Sequence, residues 1–343
     1  MTAPIRAGIL GYGTGGRVFH GPLLAADPRY AVAAVVTSDP TRAEHARRAH
    51  PGVAVLRTAE ELFAAGGLDL VVVTTPPESH YELARTALRH GLAVVVDKPL
   101  AVLAEQGREL IADANRRGLL LTVFQNRRYD GDFRTVRRLI AEGALGEIRT
   151  FESRFEWWKP SGEKAWKAQA GPDRGGGMLF DLGPHLIDQA LQLFGPVAEV
   201  HAELARYRNG EGADDEAFVS LRHESGVRSH LAMSSLAPVA RPRFTVVGSK
   251  TGFVKSGLDV QEGQLAAGLR PGDPEYGREP EARWGRLGTA PVPTEAGDYA
   301  AFYSGLAAAL RSGAPPPVRA GDALAAVELI ERIHATTEIR HRN

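Results

Sequence analysis

The sequence predicts an α/β protein in which a doubly wound parallel sheet is followed by an α+β domain with a largely antiparallel sheet. Three observations carry that prediction. Short β-branched runs alternate with amphipathic stretches from Ile5 to Phe124. Runs such as Val71-Val72-Val73 and Val94-Val95-Val96 are apolar at successive positions, as strands covered on both faces must be. After Val197, strands succeed one another with little helix between them, and such neighbours pair antiparallel.

Each element has its own warrant. Strands are expected over 5–10, 31–37, 53–56, 68–74, 92–96 and 119–124, each a short β-branched or apolar run. Helices are expected between them over 42–49, 60–65, 81–90 and 105–117, where apolar residues recur at helical spacing. Past Phe124 come a helix over 133–142, a strand over 148–155, a segment dense in Trp, Lys and Gly, and a helix over 179–193. Strands at 200–207, 217–222, 226–234 and 243–247 follow. Residues 268–297 hold eleven Gly or Pro in thirty and read as a long irregular excursion. Helices over 299–311 and 322–339 close the chain, and no internal repeat is visible. A boundary is expected after Phe124, giving domains 1–124 and 125–343.

Composition limits the chemistry. At roughly 150 residues per domain, 343 residues make two domains, each able to bury a core. The absence of cysteine excludes disulfides, thiolate nucleophiles, iron–sulfur clusters and Cys-ligated zinc, and no metal is expected. Forty-one basic against forty-one acidic side chains argue against a nucleic-acid partner, since phosphate binding rests on excess cationic charge. The longest apolar stretches, 68–73 and 92–96, fall far short of the ~20 residues of a membrane span. The first residues leave no room for a signal peptide, so a soluble cytoplasmic protein is expected.

The first strand runs straight into Gly11-Tyr12-Gly13-Thr14-Gly15-Gly16, which contains G-x-G-x-x-G at Gly11, Gly13 and Gly16. In that pattern the glycines provide a tight turn, a close approach of main chain to pyrophosphate, and close packing of helix on strand. The context is specific: the motif follows the first strand, opens a helix and begins a βαβ unit whose second strand ends ~20 residues later. A dinucleotide is therefore expected, with contacts at Gly11, Tyr12, Gly13, Gly15 and Gly16. The second strand ends in Thr37-Ser38-Asp39-Pro40-Thr41-Arg42. With Ser38 at the tip, a small hydroxyl and Arg42 accept the 2′-phosphate of NADP; with Asp39 at the tip, a carboxylate binds the ribose of NAD. Asp39 followed by Pro40 also reads as a helix N-cap. NADP is the preferred reading and NAD the alternative.

Two further motifs point to proton chemistry. Asp97-Lys98-Pro99 ends the fifth strand, where doubly wound sheets bind ligands, and the Lys98 ammonium suits a developing oxyanion. A surface lysine at a strand end is the plainer explanation. Downstream, Gly175-Gly176-Gly177 precedes Asp181 and His185, which share a helix face at a spacing of four. An imidazole can take a hydroxyl proton while a carboxylate orients it; a capping Asp and a packed His are the plainer roles.

Together these motifs resemble the Gfo/Idh/MocA oxidoreductases, with Asp97 standing where the family has Glu. The resemblance covers the whole chain, and local wording such as Phe19-His20-Gly21-Pro22, Val73-Thr74-Thr75-Pro76, Asn126-Arg127-Arg128-Tyr129-Asp130 and Asp181-Leu182-Gly183-Pro184-His185 is similar to its NADP-dependent scyllo-inositol dehydrogenase-like branch. The resemblance implies an N-terminal Rossmann domain, a C-terminal domain whose open sheet forms a homodimer or homotetramer interface, and a site between them. It implies His185 as proton acceptor, Lys98 as the group polarising the reacting oxygen, and Asp181 as substrate binder. Thr75, Pro76 and His80 are expected to line the nicotinamide, with His20 either near the cofactor or packed in the core. Asn126, Arg127, Trp166 and Lys167 are expected to face the substrate, a polyol or sugar whose ring suits an aromatic face with amide and cationic donors. The rival expectations are reduction of another carbonyl, such as an anhydro-sugar or diketone, redox-assisted glycoside cleavage, and a non-catalytic dinucleotide sensor.

Overall fold

The computed structural model describes residues 3–161, 170–208, 212–239 and 241–341. They divide into two units, one of Met1–Tyr129, Val260–Gly277 and Asp298–Leu324, the other of Asp130–Asp259, Arg278–Gly297 and Ala325–Asn343. A single cut after Phe124 does not describe this division, and the first sheet explains why.

In the first unit β1 (Ile5–Leu10), β2 (Tyr30–Val36), β3 (Ala54–Leu56), β4 (Leu70–Val73), β5 (Ala93–Asp97) and β6 (Leu121–Phe124) pair in parallel. Their order is β3-β2-β1-β4-β5-β6, the order of a dinucleotide-binding sheet whose switch point lies between β1 and β4. Crossovers come from α1 (Gly21–Ala25), α2 (Pro40–Ala49), α3 (Ala59–Ala65), α4 (His80–Arg89) and α5 (Ala104–Arg117). Strand alternation sends Val71, Val73, Val94 and Val96 into one cluster with Ala84 and Leu88 of α4 and Leu110 of α5. Val72 and Val95 point the other way, where α1 is little more than one turn long. That face is completed by a helix from far along the chain, Ala300–Ser312, through fully buried Phe302, Tyr303 and Leu306. Burying side chains of this size stabilises by roughly 1.5–3 kcal/mol each. A C-terminal helix therefore belongs to the N-terminal sheet.

In the second unit, after α6 (Gly131–Ala141), one mixed sheet runs β14-β13-β12-β11-β7-β10-β9-β8-β15. Its strands are β7 (Ile148–Glu156), β8 (Val197–Arg206), β9 (Glu216–His223), β10 (Arg228–Ser234), β11 (Phe244–Gly248), β12 (Gly252–Lys255), β13 (Gly285–Leu287), β14 (Ala290–Val292) and β15 (Ile339–His341). Most pairs are antiparallel; β7 with β10 and β8 with β15 are parallel. Helix α7 (Met178–Phe194) lies across β7, β9 and β10 and buries Leu186, Ile187 and Ala190.

Three expectations change. The helix after the glycine motif begins as a π-type turn, Gly15–His20, with the Gly21 N–H bonded to Gly16 O. Pro22, next in line, has no N–H with which to continue a regular ladder. The Gly/Pro-rich excursion contains the β13–β14 hairpin, which extends the sheet beyond β12, and α8 (Gln261–Ala267) precedes it. With Ala300–Ser312 as α9, the last helix, α10 (Ala320–Thr336), stops at the β-branched pair Thr336-Thr337, and Ile339–His341 becomes a strand.

Candidate active site

The glycine motif is built by contact. Gly11 follows β1 directly, with φ +92°, and an added Cβ would lie 2.9 Å from Thr74 O. A Cβ on Gly16 would stand 2.4 Å from Gly11 O, and one on Gly15 only 2.0 Å from Thr74 Oγ1 and 2.8 Å from Asp97 Oδ2. Gly13 differs, because the nearest atom to its added Cβ is Arg42 Nη1 at 3.9 Å. Gly11 and Gly16 thus let the main chain pack against itself, Gly15 admits the Thr74 and Asp97 side chains, and Gly13 leaves room beside a guanidinium, a cradle of the kind a pyrophosphate needs.

Tyr12 turns inward. Its ring is buried and its hydroxyl lies 2.8 Å from His50 Nε2. Burial pushes the Tyr12 phenol up to about 12 and His50 down to about 4, so both are neutral near pH 7 and the phenol donates to the imidazole. The side chain of Tyr12, an expected cofactor contact, is instead a strut under the loop.

β2 stops at Val36, Ser38 is exposed, and Asp39 caps α2 by accepting from Thr41 N at 2.8 Å and Arg42 N at 3.0 Å. The Asp39 carboxylate is therefore engaged by its own helix, with Arg42 Nε at 3.6 Å.

The turns after β4 and β5 are linked. Thr75 Oγ1 lies 2.6 Å from Ser79 Oγ, and Pro76 beside it is exposed. His80 does not line an open surface. It is buried, with Nε2 at 2.9 Å from Thr75 O and Nδ1 at 2.8 Å from Pro99 O, so it ties the two turns together from behind. Burial pushes its pKa down against the pull of those carbonyls and of Asp97. The bond between Lys98 and Pro99 is cis, and the half-buried Lys98 donates its main-chain N–H to Asp97 Oδ1 at 2.8 Å.

Asp97 also meets His20, whose Nε2 is 3.7 Å from Asp97 Oδ2. Burial raises the Asp97 carboxyl, but His20, Lys98 and His80 together hold it below its usual value. His20 is itself fully buried, with Nδ1 at 2.6 Å from the Tyr303 hydroxyl and its ring 4.4 Å from that of Phe124. His20 is thus packed in the core, beside the carboxylate that precedes Lys98.

Of the residues expected to face substrate, Asn126 is buried, and Arg127 is held inside the first unit by Glu262 Oε2 at 2.6 Å and the Tyr299 hydroxyl at 2.9 Å. A guanidinium held by two such partners anchors α8 and α9. Trp166 and Lys167 lie outside the described residues.

In the second unit, Gly175-Gly176-Gly177 brings the chain into α7. Gly175 has φ +75°, a Cβ on Gly176 would lie 1.8 Å from Ala170 O, and Gly177 has φ +98° with its Cβ position 2.2 Å from Asp214 Oδ1. Gly176 and Gly177 have no space for a side chain, and the left-handed turn at Gly175 favours glycine. Asp181 and His185 follow one turn apart on α7, the former half-buried, the latter buried with the Phe155 ring edge-on at 6.2 Å. Behind them lies a fully buried cation that the sequence reading missed. Arg243 donates to Gln189 Oε1 at 2.9 Å and Ser153 Oγ at 2.5 Å, and sits 4.1 Å and 4.0 Å from the Phe155 and Phe244 rings. Asp214 was missed as well; its only sequence signal is the acidic pair Asp214-Asp215 before an alternating strand. Among the described residues no group of His, Asp and Glu could hold a metal, and no helix is long and apolar enough to cross a membrane.

The strand order, the glycine cradle at its switch point and the Lys98 turn define a dinucleotide-binding oxidoreductase. Residues 5–125 match the oxidoreductase family with an NAD-binding Rossmann fold, and residues 133–254 match the GFO/IDH/MocA C-terminal domain. The chain belongs to the Gfo/Idh/MocA family and is an NAD(P)-dependent dehydrogenase. It is 35% identical over 336 residues to the scyllo-inositol 2-dehydrogenase (NADP(+)) IolW of Bacillus subtilis, covering 95% of this chain and 92% of that protein. It is 39% identical to YdgJ, an uncharacterized oxidoreductase of Escherichia coli, over 96% of both chains. Among solved structures, yvaA of Bacillus subtilis superposes with a TM-score of 0.91 at 34% identity, over 97% of this chain and 95% of that one.

Proposed function

We propose that this dehydrogenase uses NADP and interconverts a secondary alcohol and a ketone on a cyclic polyol or sugar, an inositol foremost. The observation that carries the cofactor choice is the engagement of Asp39 by the first turn of α2. An NAD site needs a carboxylate at the strand end free to accept from both ribose hydroxyls; here Ser38 is exposed and Arg42 reaches over the loop to Gly13. The similarity to an NADP-dependent inositol dehydrogenase supports both parts of the reading.

The nicotinamide, when bound, accepts or supplies the hydride. The chain's own residues would manage the proton and the oxygen. The His185 imidazole takes the hydroxyl proton during oxidation, in a buried setting against Phe155 that keeps it from bulk water. The Lys98 ammonium stabilises the charge that develops on the reacting oxygen. Asp181, one turn before His185, accepts from substrate hydroxyls and fixes the ring. A homodimer or homotetramer is proposed with it, on the family resemblance.

Steady-state kinetics with both cofactors on wild type and Ser38→Asp test the assignment. The expected result is a kcat/KM preference for NADP that falls at least about tenfold in the variant, since a carboxylate there repels the 2′-phosphate. An unmoved preference, or a wild type favouring NAD, refutes it. Tight NADPH binding with no turnover on any polyol or aldose would favour a sensor instead.

A further inference from the structure

We infer that Asp214 is a positioning residue for the reaction: reaching in from the lead to β9, its carboxylate caps the helix that carries Asp181 and His185, and Gly177 lacks a side chain so as to admit it. The inference rests on the roles proposed above for those two residues.

Gly177, the residue before α7, has no side chain with which to cap the helix. The first turn of any helix leaves main-chain N–H groups without partners, and a buried one must find an acceptor elsewhere. Here Asp214 supplies two. Its main-chain O accepts from Met178 N at 3.0 Å, and its Oδ2 accepts from Leu179 N at 2.8 Å. The other carboxylate oxygen, Oδ1, occupies the place where a Cβ on Gly177 would project, at 2.2 Å. A glycine at 177 and a carboxylate at 214 are thus two halves of one contact across 37 positions of sequence.

That contact bears on the site through one turn of helix. Asp181 donates its N–H to Gly177 O at 3.0 Å, so the capped turn and the turn that presents Asp181 share the Gly177 peptide; His185 stands one turn further. Asp214 is buried, and Asp215 beside it is occupied in accepting from Tyr207 N and Arg208 N. Burial pushes the Asp214 carboxyl up to about 7, with Asp215 adding to the rise. A carboxyl that exchanges its proton near neutrality still presents an oxygen to Leu179 in either form, so an amide oxygen should serve in its place.

The test compares Asp214→Asn and Asp214→Ala, with NADP and scyllo-inositol as probes and amide hydrogen exchange over residues 178–185 as a readout independent of turnover. Asp214→Ala should speed exchange at Leu179 through Asp181 about tenfold and lower kcat about tenfold, with KM for NADP within about twofold of wild type. Asp214→Asn should stay within about threefold of wild type in both. If the alanine variant fails to fold, Asp214→Ser, too short to reach Leu179, takes its place with the same expected losses. Unchanged exchange in the alanine or serine variant overturns the inference, as do equal losses of kcat in the asparagine and alanine variants that track Tm. A wild type inactive on polyols would refute the substrate reading, and exchange at Leu179 through Asp181 would still decide whether Asp214 holds this turn.

Discussion

Replacing Gly13 and Gly16 by alanine, one at a time, should separate the two tasks of the glycine motif. A methyl on Gly16 falls 2.4 Å from Gly11 O, a main-chain atom that cannot turn aside, and 3.3 Å from the Tyr12 ring. Overpacking of this kind costs about 1–3 kcal/mol. For units of this size that lowers Tm by about 2–12 °C. A methyl on Gly13 meets nothing closer than Arg42 Nη1 at 3.9 Å, and its φ lies outside the left-handed region, so the fold should accept it with Tm essentially unchanged. The same methyl stands where a phosphate would approach the main chain. Loss of one charge-assisted bond, worth about 1.5–3 kcal/mol, should weaken NADPH binding roughly tenfold to a hundredfold. Thermal unfolding and fluorescence titration with NADPH measure the two effects independently. Equal Tm losses in both variants, or unimpaired NADPH binding by Gly13→Ala, would refute the division of labour.

Lys98→Met and His185→Ala should each lower kcat by about 10²–10⁴ while leaving the Kd for NADPH within about threefold, as stopped-flow turnover and titration would show. Parallel loss of both quantities would mean a structural role instead. The pH dependence of stability should carry the signature of His50, whose pKa is pushed down to about 4 when folded. The unfolded chain binds that proton more readily, so stability is full above about pH 6.5 and declines as pH falls towards 4, by roughly 3 kcal/mol in all. His50→Gln keeps an acceptor for Tyr12 and should flatten that part of the Tm profile; an unchanged slope would argue against the buried neutral pair.

The parts of this fold that could be read from sequence are those decided by local pattern. Val71–Val73 and Val94–Val96 announce strands covered on both sides, and Asp39-Pro40 announces a capped helix that the structure shows bonded to Thr41 and Arg42. Gly11, Gly13 and Gly16 are legible because a fixed spacing has a fixed use. What stayed hidden depends on contacts between distant segments. Nothing local in Phe302-Tyr303 says that it completes the face over Val72 and Val95, so a single boundary after Phe124 leaves out the return of residues 298–324 to the first unit. Arg127 looks like a substrate contact until Glu262 and Tyr299 are seen to hold it. Gly285–Val292 looks irregular by composition, yet a hairpin tolerates glycine and proline at a sheet edge. Asp214 reads as an acidic residue before a strand, and its cap on Leu179 emerges only once the chain has folded.

The assignment as a polyol dehydrogenase is decided by incubating the protein with scyllo-inositol, its stereoisomers and a set of aldoses, with NADP and with NAD, and identifying products by mass spectrometry. NADPH and an equimolar ketone are expected from at least one cyclic polyol or sugar, with NADP exceeding NAD in kcat/KM and His185→Ala forming product at least about a hundredfold more slowly. Product formation at an undiminished rate in His185→Ala, or the absence of any product across the panel from a protein that binds NADPH tightly, would contradict this reading.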